Sequence, residues 1–110
     1  MSLEGKIASQ GKAEARAFVT NDPSEKPPFK EYILVTQNSN PEMSSLLYNA
    51  QGIITEVGGL MSHLAVISRE IKIPCVTACK GSYTKLKTGY NLKINAEDKL
   101  NSRVGIEYDI

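Results

Sequence analysis

The chain has 110 residues, enough to bury one core but too few to hold separate nucleotide and substrate sites beside it, so any enzyme chemistry is expected to be part of a reaction. Thirteen basic residues face twelve acidic ones, with Lys80, Lys85, Lys87, Lys93 and Lys99 spread singly, which argues against nucleic acid as a partner. No apolar run reaches the roughly 18 residues of a membrane span, and Met1-Ser2-Leu3-Glu4-Gly5-Lys6 lacks the apolar centre of a signal peptide, so a soluble, cytoplasmic protein without a membrane partner is expected.

In chain order, Lys12 to Val19 reads as a strand ending near Thr20, because neither helix nor strand persists through the proline-rich stretch Thr20 to Pro28. Tyr32-Ile33-Leu34-Val35-Thr36 is a buried strand, followed by the loop composition Gln37-Asn38-Ser39-Asn40. Pro41 then fits the first turn of a helix, with Asn40 as N-cap and Glu42 near the positive end of the dipole. Met43, Leu46, Leu47 and Ala50 give that helix an apolar face, and Gly52 is placed to end it.

Ile53 to Val57 predicts another buried strand, running straight into Gly58-Gly59. After this turn Leu64, Ala65, Ile67 and Ile71 supply the apolar face of a helix that Pro74 stops shortly after Lys72. Pro74 to Ala78 is the next strand. Beyond Gly81, Leu92 and Ile94 alternate with polar neighbours, as do Val104, Ile106 and Tyr108, predicting two half-buried antiparallel strands around Asn95 to Lys99. The pattern is a single α/β domain over residues 1–110, parallel β-α-β in the middle and hairpin-like at the end. Cys75 and Cys79 have no second cysteine pair or nearby histidine, so they read as packing or surface thiols, and no metal site is expected.

His63 is the only histidine. A strand feeding a glycine turn and then a helix aims unpaired N–H groups and the positive end of the dipole at one point, where an anion is stabilised. A histidine there is kept neutral and nucleophilic, and its phosphorylated form is favoured by the same dipole. Gly58 and Gly59 allow positive φ and close approach of a phosphate, while Ser62 can cap the helix or donate to a phosphate oxygen. The glycine spacing is neither a Walker loop nor a dinucleotide fingerprint. On local pattern alone, a histidine that merely starts a helix is an equal reading. Arg69 either anchors the loop, meets a partner, or forms an exposed pair with Glu70. Glu56 either orients the imidazole from behind or is a strand-end charge. Thr36 and Thr55 border the site or simply satisfy strand propensity.

The run Gly58-Gly59-Leu60-Met61-Ser62-His63, with Ala65-Val66-Ile67, Arg69-Glu70 and Ile73-Pro74, resembles the mobile phosphohistidine domain of phosphoenolpyruvate-utilising enzymes. That family includes phosphoenolpyruvate synthase, pyruvate phosphate dikinase, the first enzyme of the sugar phosphotransferase system and rifampin phosphotransferase. The likeness covers almost the whole chain: Ser9 to Ala17 is similar to the family's opening segment, with Ala15 where a second glycine is common. Ile33 to Thr36 followed by Pro41 resembles its strand and proline-started helix, and Leu86-Lys87-Thr88-Gly89 its late turn. Two departures stand out. Met61 occupies a position often held by a regulatory threonine, closer to the rifampin branch, and Asn95 stands where aspartate is common.

The resemblance implies a swivelling three-layer β/β/α domain with a parallel central sheet and a smaller antiparallel sheet. It implies that His63 accepts a phosphoryl group through Nε2, with Gly58, Gly59 and Ser62 positioning the phosphate and Arg69 and Glu56 as candidates for support. No cofactor would be bound by this domain itself. Mg-ATP would sit in an ATP-grasp partner domain, and phosphoenolpyruvate in a TIM-barrel or other acceptor domain, in the same polypeptide or a separate one. The alternatives are a non-catalytic interaction module of the same fold and a stand-alone phosphocarrier.

Overall fold

The computed structural model describes residues 1–110. Its elements in order are β1 (Ser2–Ser9), β2 (Gly11–Val19), β3 (Tyr32–Thr36), a 3₁₀ turn (Pro41–Met43) running into α1 (Ser44–Leu47), β4 (Gly52–Thr55), α2 (His63–Ile71), β5 (Cys75–Thr77), α3 (Ser82–Lys85), β6 (Asn91–Ala96) and β7 (Arg103–Asp109). The strands form one closed sheet in the order β1-β5-β4-β3-β2-β6-β7. Strands β2, β3, β4 and β5 are mutually parallel, and β1, β7 and β6 complete the ring with antiparallel pairing. The expected parallel and antiparallel sheets are thus two arms of one continuous ladder.

Two apolar clusters separate three layers. Between the arms lie Leu3, Ile7, Ile33, Val35, Ile54, Val76, Leu92, Ile94 and Ile106. On the other face of the parallel arm, Phe18, Tyr32, Leu34, Ile53 and Cys75 pack against Met43, Leu46, Leu47, Leu64, Ala65 and Ile67 from the helical layer. Strand β3 is buried at all five positions because it carries apolar residues toward both clusters. Strands β6 and β7 pair Leu92 with Tyr108 and Ile94 with Ile106, as their alternation predicts. No helix of the chain is long and apolar enough to cross a membrane.

Three local expectations need correction. Strand β1 had no place in the sequence reading, since Gly5 occupies a buried position where an apolar side chain would have signalled a strand. Glycine is needed there: a Cβ would lie 2.6 Å from Val76 Cγ1 and 2.8 Å from the Thr77 carbonyl. Gly52 does not end a helix. The helical segment stops at Tyr48, Gln51 already donates its N–H to the Tyr32 carbonyl at 2.8 Å, and Gly52 opens β4 under Pro74. The short α3 was not anticipated. By contrast, Asn40 caps the 3₁₀ turn as expected, its side chain accepting the Glu42 N–H at 3.0 Å.

Cys75 and Cys79 are both free and buried, and they sit in different clusters. Burial pushes the Cys75 thiol up to about 12 and the Cys79 thiol up to about 11, so both are inert packing groups at neutral pH.

Candidate functional site

Strands β3, β4 and β5 end in Thr36, Thr55 and Thr77, all buried, and the loops beyond them meet at one end of the sheet. Past the end of β4, the Glu56 N–H donates to the Thr36 carbonyl at 3.2 Å and the Val57 N–H to the Gln37 carbonyl at 2.9 Å, so the chain follows the β3 loop for two more residues. It then turns at Gly58, where φ is +153°. The hydroxyls of Thr55 and Thr77 hydrogen-bond to each other at 3.0 Å directly beneath this glycine. A Cβ at Gly58 would stand 2.9 Å from Thr77 Oγ1 and 3.4 Å from Thr55 Oγ1, so only glycine fits both the space and the backbone angle. Gly59 has no such neighbour.

The Ser62 N–H closes the turn on the Gly59 carbonyl at 3.1 Å, and His63 is the first residue of α2. Its imidazole is exposed. None of the surface depressions of the chain is lined by His63. The histidine therefore sits exposed at the positive end of a nine-residue helix, outside the surface depressions of the chain. Such a group can reach into another active site but cannot exclude water by itself.

The structure brings Gly58, Gly59, Ser62 and His63 together in the turn that enters α2, and it separates the two support candidates. Arg69 lies six residues after His63, nearly two turns along α2, with its guanidinium donating from Nη1 to the Ala8 carbonyl at 2.6 Å and from Nη2 to the Leu60 carbonyl at 2.7 Å. It therefore ties the glycine loop to β1, and Glu70 stays exposed. Glu56 is turned the other way: its Oε1 accepts the Tyr83 N–H at 2.9 Å, holding the first turn of α3 instead of the imidazole.

Two residues of the site escaped the sequence reading. Thr77 carries no signal beyond strand propensity. Ser39, in the loop after β3, accepts the Leu64 N–H at 3.0 Å and so caps α2 across 25 residues of sequence, a tertiary contact that no local pattern marks.

Residues 28–99 match the family model described as PEP-utilising enzyme, mobile domain. The phosphoenolpyruvate synthase of Pyrococcus furiosus is 43% identical over 94 residues, covering 84% of this chain and 12% of that enzyme. The rifampicin phosphotransferase of Streptomyces sviceus is 36% identical over 97 residues, covering 88% of this chain and 11% of that enzyme. The chain therefore spans a small part of the length of these relatives. Identity is higher to this synthase than to this phosphotransferase. Among solved structures, holo-form aconitase X of Thermococcus kodakaraensis superposes with a TM-score of 0.60 at 18% identity, covering 100% of this chain and 99% of that one, a likeness of fold alone.

Proposed function

Because the chain belongs to the mobile-domain family of PEP-utilising enzymes, and resembles both a phosphoenolpyruvate synthase and a rifampicin phosphotransferase, we propose that it is a phosphohistidine carrier working through His63. The observation that carries this reading is the placement of the chain's single histidine, exposed at the N-terminus of α2 directly after the glycine turn.

In the first half-reaction the lone pair of the neutral imidazole Nε2 attacks the donor's phosphorus. The Nε2–P bond forms as the donor's P–O bond breaks, and the leaving oxygen keeps the bonding pair. In the second, an acceptor oxygen attacks the same phosphorus and Nε2 leaves with its electron pair restored. The chain contributes the nucleophile, the positive end of α2 toward the transferred phosphoryl group, and the Ser62 hydroxyl and glycine-turn backbone that position it. Arg69 keeps the turn in register by its bond to Leu60.

Exclusion of water and most of the charge neutralisation must come from partner sites: an ATP-grasp domain holding Mg-ATP on one side, and a phosphoenolpyruvate/pyruvate TIM barrel or another acceptor domain on the other. The test is intact mass after incubation with phosphoenolpyruvate or ATP, Mg²⁺ and active partner domains, with His63→Gln as control. One acid-labile, alkali-stable phosphate, absent from the variant, is expected. No adduct with any donor would leave a non-catalytic interaction module as the reading.

A further inference from the structure

The N-terminus of α2 is capped by the wrong serine. Ser62 stands at the N-cap position with φ −66° and ψ 154°, the backbone from which a serine hydroxyl ordinarily accepts an N–H two or three residues ahead. Its side chain makes no such bond. The Leu64 N–H, two residues after Ser62, donates instead to Ser39 Oγ. The Ser62 hydroxyl is left on the Gly58 side of the turn, 3.7 Å from where a Cβ of that glycine would stand.

Ser39 is itself held in place. Asn21 Oδ1 accepts both the Thr36 hydroxyl at 2.8 Å and the Gln37 N–H at 2.9 Å, fixing the loop where it leaves β3. The Gln37 carbonyl in turn accepts the Val57 N–H, so the loop bearing Ser39 is bonded to the segment that enters the glycine turn.

We propose that Ser39 is a positioning residue for phosphoryl transfer: by capping α2 in place of Ser62, it frees the Ser62 hydroxyl to donate to the phosphoryl oxygens on His63. This rests on the carrier reading above. A serine that closes a helix end and a serine that follows a phosphoryl group need different side-chain rotamers, and one residue cannot hold both at once. With two serines the tasks separate. The helix keeps a satisfied N–H at its second position, and a donor remains mobile beside the histidine.

The test uses the 110-residue chain and phosphoramidate, a chemical donor that needs no partner: the Nε2–P bond forms, the reagent's P–N bond breaks and ammonia leaves with the electron pair. Phosphorylation rate by intact mass and thermal midpoint are measured for wild type, Ser39→Ala, Ser39→Thr, Ser62→Ala and the Ser39→Ala/Ser62→Ala double variant. In Ser39→Ala, Ser62 turns in to take over the cap. The midpoint then barely moves while the rate falls on the order of tenfold or more, as in Ser62→Ala. Ser39→Thr, which keeps the hydroxyl, restores the rate. In the Ser62→Ala background, Ser39→Ala removes the last cap, and the midpoint drops by about 4–8 °C with no further loss of rate. A wild-type rate for Ser39→Ala, or an equal midpoint loss in both backgrounds, overturns the proposal. Absence of any adduct on the wild type would overturn the carrier reading instead, and the midpoints would still decide whether the two serines exchange as caps.

Discussion

Arg69 Nη2 donates to the Leu60 carbonyl at 2.7 Å, so the helix that begins with His63 reaches back and holds the loop that leads into it. The other arm of the same guanidinium ends on the Ala8 carbonyl of β1. One side chain thus fixes the glycine turn against the sheet.

Replacing Arg69 with Met keeps much of the side chain's length and removes both charge-assisted bonds to part-buried carbonyls. The expected loss is about 1.5–3 kcal/mol, read from urea denaturation. Because the bond to Leu60 is lost, amide exchange at Leu60 to Ser62 should also quicken relative to the core strands. An Arg69→Met variant with unchanged stability and unchanged exchange in this loop would show that the guanidinium only covers the surface.

The two glycines of the turn are expected to behave differently. Gly58→Ala puts a methyl group 2.9 Å from Thr77 Oγ1 on a backbone at φ +153°, and it should cost about 1–3 kcal/mol while disturbing the Thr55–Thr77 hydroxyl pair. Gly59→Ala meets nothing within 4 Å and should leave stability within about 0.5 kcal/mol of wild type. Thermal or urea denaturation of both variants checks this, and equal losses would mean that the turn is strained as a unit and not at Gly58.

Alkaline pH should destabilise the chain through its buried acids. In the fold, burial raises Cys75 to about 12 and Cys79 to about 11 from an ordinary 9.0, and it raises the Tyr32 phenol, which donates to the Leu46 carbonyl. The unfolded chain therefore releases these protons first. The stability tied to them is intact below about pH 9 and is lost as pH climbs from there toward 12. At pH 8 an aromatic disulfide reagent should label both thiols only at the rate of unfolding, so labelling should accelerate with urea; fast labelling of the native chain would contradict the burial.

Much of this architecture was legible because apolar residues mark it. Tyr32 to Thr36 is buried on both faces, and Leu92, Ile94, Ile106 and Tyr108 alternate toward the core, so β3, β6 and β7 could be read from residue type alone. The histidine turn was legible for a similar reason: strand, glycine pair and helix follow each other without a break in the sequence. What escaped depends on contacts between distant segments. Gly5 hides β1 because close packing against Val76 needs the absence of a side chain. Ser39 serves as a cap only because the loop after β3 lies beside α2, and Glu56 faces α3 only because Tyr83 presents an N–H there. The fold class follows from local pattern; the division of labour around His63 follows from tertiary placement.

That division gives a last prediction, at Glu56. A carboxylate that oriented the imidazole from behind would stabilise the imidazolium, and neutralising it would change the pH dependence of His63 phosphorylation. Oε1 of Glu56 instead accepts the Tyr83 N–H at the start of α3. Glu56→Gln retains an acceptor oxygen, so it should leave both stability and the pH profile of phosphorylation by phosphoramidate close to wild type. Glu56→Ala removes the acceptor and should cost about 1 kcal/mol, typical of a lost helix-end bond, again with the pH profile unmoved. A shifted profile in Glu56→Gln would show that the carboxylate acts on the histidine after all, and Tyr83 would then be a secondary partner.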